Sequence, residues 1–170
     1  MAPEDRPSRD GEGAGGPDDA IQSLLADDAS VGVRDPGTFG RLQREMHTHA
    51  KDLHDWFLAE RSAGSSVLGY GAASRAVALL CHARVDRELL HAVVDASPAK
   101  QGLRMPGTDI PVAAPSQLAA SKPDSVVLFV PDLLAEVREA YPEVERAGGR
   151  WVDAETLGSR RDSGSLQQDT

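Results

Sequence analysis

Cysteine occurs once in the 170 residues, at Cys81, which excludes an internal disulfide and any multi-cysteine zinc site. No apolar run approaches the ~20 residues that span a bilayer. The opening stretch MAPEDRPSRDGEGAGGPDDA lacks the apolar segment of a signal peptide. Basic residues are the minority: 18 Lys and Arg stand against 27 Asp and Glu, for a formal charge of -9. Such a surface repels nucleic acid and anionic membranes, although one basic site can persist within it. These exclusions point to a soluble, cytoplasmic protein that binds no nucleic acid, membrane or metal.

What is present begins poorly and improves. Residues 1–19 are mainly Pro, Gly, Asp, Glu and Arg, too little apolar surface to offset the entropy of ordering. Residues 157–170 read the same way, so both ends are expected to be disordered. Between them, residues 20–63 form a helical segment and 64–153 an α/β domain. The short piece AIQSLLADDA is expected to form a helical turn or two. The turn-like RDPGT offers Thr38 as an N-cap for a helix running to about Arg61. Phe39, Leu42, Met46, Leu53, Trp56 and Phe57 recur along it at helical spacing. From Ser65 apolar strands alternate with helices: SSVLGYG, LLHAVVDAS, IPVAA, DSVVLFVP and GGRWVD as strands. AASRAVALLCHA, SQLAASKP and DLLAEVREAYPEVERA fall between them as helices, the last interrupted by a proline. Crossovers of that length predict an α/β fold built on a parallel sheet of about five strands.

VLGYGAASRA, residues 67–76, has the form of a strand turning into a helix around an anion. Gly69 and Gly71 can adopt turn conformations and admit a ligand to the backbone. The helix that opens near Ala72 would present free N–H groups and a positive dipole end. Asp95 lies 24 residues beyond Gly71, near the spacing of a ribose-binding acid in dinucleotide folds. Ser74 stands where the third glycine of G-x-G-x-x-G belongs. The alternative is a tight turn that holds no ligand, and an NAD enzyme is the weaker reading.

Four stretches taken together carry more information. GYGAASRAVALL, VVDASPAKQGLRMPGTDIPV, SVVLFVPDLLAEV and GGRWV, in this order and spacing, resemble the C-terminal domain of SAM-dependent sugar-nucleotide C-methyltransferases. The resemblance runs from about Phe39 to Val152. It implies a Rossmann-like domain that helps to hold a nucleotide sugar linked to dTDP or UDP, in deoxysugar or natural-product biosynthesis. The zinc module, the SAM-binding domain and the catalytic segment of such enzymes have no counterpart in the sequence. It therefore reads as a stand-alone version with no cofactor of its own, not a methyltransferase by itself, working beside a separate SAM-dependent methyltransferase.

Carried over residue by residue, the resemblance implies that the backbone of Gly69, Tyr70, Gly71, Ala72 and Ala73 cradles a phosphate. Arg75 lies near it, and Asp95 approaches a ribose or base. Lys100 and the loop Pro106, Gly107, Thr108 close the site from above, with Arg104 adding charge. Two departures from the family stand out: Ala76 replaces a common glycine, and Pro131–Asp132 replaces a Trp–Asn pair. That departure motivates a second reading, an independent enzyme acting on another small biosynthetic molecule. Asp132, Lys100 and Tyr70 are its catalytic candidates, Asp132 being equally readable as a helix cap and Tyr70 as packing against the leading helix. A third reading is an interaction protein with a vestigial pocket, docking through an exposed Trp56–Phe57 pair. His47, His49 and His54 lack the i,i+4 spacing of helical metal ligands and read as solvated. His82 reads as structural near a helix C-terminus, and Cys81 as a small buried hydrophobe.

Overall fold

The computed structural model describes residues 17–32 and 35–157. The two tails expected to be disordered fall almost wholly outside the described residues. Residues 17–19 belong to a helix, α1 (Pro17–Ser30), which is longer than the turn or two expected from its apolar content. Helix α2 spans Pro36–Ser62. Its cap is Asp35 rather than Thr38: the Asp35 Oδ1 accepts the Gly37 N–H at 2.9 Å. Pro36 then fills the first helical position, where its missing N–H costs nothing.

Five strands follow: β1 (Val67–Tyr70), β2 (Val93–Val94), β3 (Val112–Ala113), β4 (Ser125–Leu128) and β5 (Arg150–Asp153). Every pairing is parallel, in the order β3-β2-β1-β4-β5. Helix α3 (Ser74–His82) joins β1 to β2, and α4 (Ser116–Ser121) joins β3 to β4. A 3-10 turn (Pro131–Leu133), α5 (Leu134–Ala140) and α6 (Glu143–Arg146) join β4 to β5, with Pro142 between the two helices.

Strand alternation divides the core into two layers. Val67, Val93, Val127 and Phe129 pack with Leu53 and Phe57 of α2 and Leu80 of α3. Leu68, Val94, Val126 and Leu128 face the other way, against Leu118 of α4, Val137 of α5 and Val144 of α6. The sheet is therefore covered on both faces, and its central strands β1, β2 and β4 are buried at every position. Phe57 is 1% exposed, and Trp56 is partly buried against the same layer. The expected exposed Trp56–Phe57 docking face is thus part of the core: the pair sits where α2 covers the sheet.

Two of the α2 histidines serve that packing instead of facing solvent. His49 Nε2 lies 2.7 Å from the Ala154 carbonyl and His54 Nδ1 2.9 Å from the Ala83 carbonyl. They tie α2 to the end of β5 and to the end of α3. The His47 and His82 rings meet edge to face, with centroids 4.6 Å apart. No metal-binding cluster occurs among the described residues, and none of their helices is long and apolar enough to cross a membrane.

Candidate functional site

Strand order reverses between β1 and β4: β2 and β3 build outward on one side of β1, β4 and β5 on the other, all of them parallel. Open α/β sheets place ligands at the carboxyl ends of strands beside such a point. Here that region holds Gly71, Ala72, Asp95 and the start of the turn after β4.

Gly71 has φ +92, and a Cβ there would lie 2.8 Å from Val130 Cγ2. The left-handed backbone and the Val130 contact both require glycine. The turn then sends its N–H groups toward the end of β2. Asp95 receives the first of them: its Oδ2 accepts the Ala72 N–H at 2.8 Å. The same oxygen accepts Lys100 Nζ at 3.0 Å, and Oδ1 accepts the Ser97 N–H at 2.9 Å. Gln101 Nε2 donates to the Asp95 carbonyl at 3.1 Å. Burial pushes the Asp95 carboxyl up, but the Ser97 N–H, Lys100 and the Ala72 N–H outweigh it and hold it below its usual range. The anion in the glycine turn is therefore the protein's own carboxylate. Asp95, Lys100 and Ala72 do come together, as one closed network.

The other residues implied by the resemblance spread out. Gly69 lies inside β1, where a Cβ would meet Phe129 at 2.8 Å; it makes room for packing. Tyr70 is 6% exposed and belongs to the layer opposite α2, so it does not pack on the leading helix. Its ring lies 5.6 Å from Tyr141 and 5.8 Å from Trp151. Burial, with a hydrogen bond to Tyr141, pushes its hydroxyl pKa up, which keeps the phenol protonated. Asp132 is exposed in the 3-10 turn and does not cap α5, whose N-cap residue is Leu133. Ala73, the N-cap residue of α3, brings no side-chain hydrogen bond, so the first N–H groups of that helix lack a side-chain cap.

Arg75, in the first turn of α3, is exposed and pairs with Glu155 at 2.6 Å. Both border an open cleft of about 440 Å³ between α2 and α3, with His49, His82 and an apolar floor of Met46, Ala78 and Leu79. A larger groove of about 550 Å³ runs between α2 and β5, with Trp56 and Trp151 in its walls. Neither was legible in the sequence, because each is made by α2 crossing elements more than 20 residues away.

The Pro106–Thr108 loop does not close over the carboxyl end. It is the tip of a hairpin in which Met105 N–H bonds Ile110 O at 2.8 Å and Gly102 N–H bonds Val112 O at 2.9 Å. The hairpin carries its tip back toward the amino end of β3. A Cβ on Gly107 would lie 2.7 Å from Cys81 Sγ, at the far end of α3 from Arg75. Cys81 is exposed rather than buried, with Sγ 3.5 Å from the Pro106 carbonyl. Arg104 stays on the hairpin, paired with Asp109 at 3.2 Å.

The parallel five-stranded sheet, its reversal between β1 and β4 and the glycine turn define a Rossmann-like α/β domain. A family model described as the C-methyltransferase C-terminal domain matches residues 7–154, and the chain belongs to that family. The C-methyltransferase NovU of Streptomyces niveus is 26% identical over 133 residues, a match covering 78% of this chain and 32% of NovU. The chain thus spans about a third of the length of that relative.

Proposed function

We propose that the domain binds a nucleotide sugar, dTDP- or UDP-linked, and presents it to a separate SAM-dependent methyltransferase. The observation that carries this reading is Arg75 on the rim of the 440 Å³ cleft, beside the uncapped first turn of α3. Asp95 already satisfies the Ala72 N–H. A diphosphate would therefore take the N–H groups of the next residues, Ser74 and Arg75, together with the Arg75 guanidinium. Glu155 would release that guanidinium at modest cost, since an exposed pair contributes little. The sugar would lie against Ala78 and Leu79, the α3 wall of the cleft.

Thermal-shift titration with dTDP, UDP, dTDP-glucose, NAD and SAM tests this. A nucleoside diphosphate at a hundredfold excess over its dissociation constant should add roughly 2.7 kcal/mol of stability, and SAM alone nothing. Arg75→Ala should abolish the shift while leaving the unliganded melting temperature in place. No shift with any diphosphate, or an undiminished shift in Arg75→Ala, overturns the assignment.

A further inference from the structure

The buried face of α2 does not end where its burial ends. Phe39, Leu42, Met46, Ala50, Leu53 and Phe57 follow one another at intervals of three and four residues, a single face of one helix. Ala50, Leu53 and Phe57 are at most 4% exposed, whereas Phe39, Leu42 and Met46 are 56%, 47% and 61% exposed. Helix α1 repeats the pattern on a smaller scale. Ile21, Leu24 and Leu25, at i, i+3 and i+4, are 52%, 65% and 46% exposed. The two helices are neighbours in sequence, and each carries an exposed apolar stripe.

Exposed apolar residues scattered singly need no explanation, but two helical stripes do. At about 100 Å² per residue they offer roughly 600 Å² per copy, close to the ~800 Å² that each partner of a standard interface buries. Charge selects how they would pair. Helix α1 carries Asp18, Asp19, Asp27 and Asp28 with no Lys or Arg. Residues 36–46 carry Arg41 and Arg44 against one acid, Glu45. Pairing α1 with α1 would bring four carboxylates against four, while pairing α1 with the start of α2 joins opposite signs.

We infer that the chain forms a two-fold dimer in which α1 of one copy packs on the Phe39–Leu42–Met46 stripe of the other, and reciprocally. The second copy is the occupant because it supplies both stripes and both signs of charge, and a two-fold arrangement buries all of them in one closed interface.

Light scattering on the full chain tests this. The expected mass is twice 18.0 kDa, falling to the single-chain value in Leu24→Glu and in Leu42→Glu. Both positions are exposed, so the circular dichroism of the variants should match the wild type. An equimolar mixture of the two variants should regain dimer, because one α1–α2 contact then joins two unmodified stripes. Pairing of like helices would leave every contact in that mixture with a glutamate. A wild type of single-chain mass at every soluble concentration overturns the inference and leaves the stripes to a different protein. A dimer that survives both variants, or a mixture that regains none, overturns it as well.

Discussion

The resemblance implies one site built from the glycine turn and the Pro106–Thr108 loop, and the structure sets the two at opposite ends of α3. They lie about 9 Å apart along the axis, measured over the six residues from Arg75 to Cys81. At the first end the contacts are charged: Asp95 on the Ala72 N–H, Lys100 on Asp95, Arg75 on Glu155. At the second they are steric: Gly107 against the Cys81 sulfur, and Thr108 buried with its hydroxyl unpartnered among the described residues. One end is organised to hold an anion and already holds its own, and the other is organised to fit a turn. The difference matters because residues brought close by sequence motif need not share a function. The hairpin from Gly102 to Val112 carries one half of the motif to the opposite end of the sheet.

If the second end is steric, volume should disturb it most. Gly107 has φ +76, and a Cβ there would lie 2.7 Å from Cys81 Sγ, so any side chain at this position is strained and must displace the Cys81 sulfur. Gly107→Val adds a β-branched side chain to a left-handed residue and a clash, and should cost about 3 kcal/mol of folding stability in urea unfolding. Nucleotide affinity should not change when measured below the melting point. A loss under about 1 kcal/mol would show that the turn yields easily, and that its shape is not what holds the hairpin.

How far these contrasts were legible depends on the range of the interaction. The parallel sheet was readable because alternation and crossover length are local signals, and VVDASP and SVVLFV carry them in full. The pairing of Asp95 with the glycine turn was half readable. Spacing brought Asp95 to the right strand end, but a ribose-binding acid and a turn-capping acid have the same spacing. Only Lys100 and the Ser97 N–H, closing from the following loop, distinguish them. Pro106–Thr108 was misplaced because nothing in GLRMPGTDIPV shows which end of the sheet its hairpin reaches. The cap of α2 is legible in the pair Asp35–Pro36, while Thr38 has a capping side chain but lies inside the helix. The largely apolar helix around Cys81 predicts a buried thiol, but the sequence does not state which face of α3 meets the core, and Cys81 is exposed.

At the charged end the sharpest change removes charge without volume. Asp95→Asn places an amide NH2 where Oδ1 or Oδ2 now accepts, so a donor must face the Ser97 N–H, the Ala72 N–H or Lys100. Losing a charged hydrogen-bond network of this kind in a buried position costs about 2 kcal/mol near neutral pH. The loss should also depend on pH. Because the folded carboxyl titrates below its unfolded range, Asp95 contributes fully above about pH 4. The contribution fades as pH falls through the folded value. Urea unfolding of wild type and Asp95→Asn should therefore differ most near pH 7 and converge as the solution is acidified. A constant difference down to the lowest accessible pH would show that geometry, and not charge, is what Asp95 supplies, which would make the two ends alike.

The smallest effect is the most diagnostic, because its sign differs between the two views. Thr108 Oγ1 is buried without a hydrogen-bond partner among the described residues. A buried hydroxyl in that state opposes folding, and an isosteric methyl does not. Thr108→Val should then raise stability by about 1 kcal/mol, the outcome required if this end of α3 is purely a packing contact. A loss of similar size would mean that the hydroxyl finds a water or a ligand in solution. The hairpin tip would then hold a polar site of its own, and the contrast between a charged and a steric end of α3 would fail at the residue where it is most exposed to test.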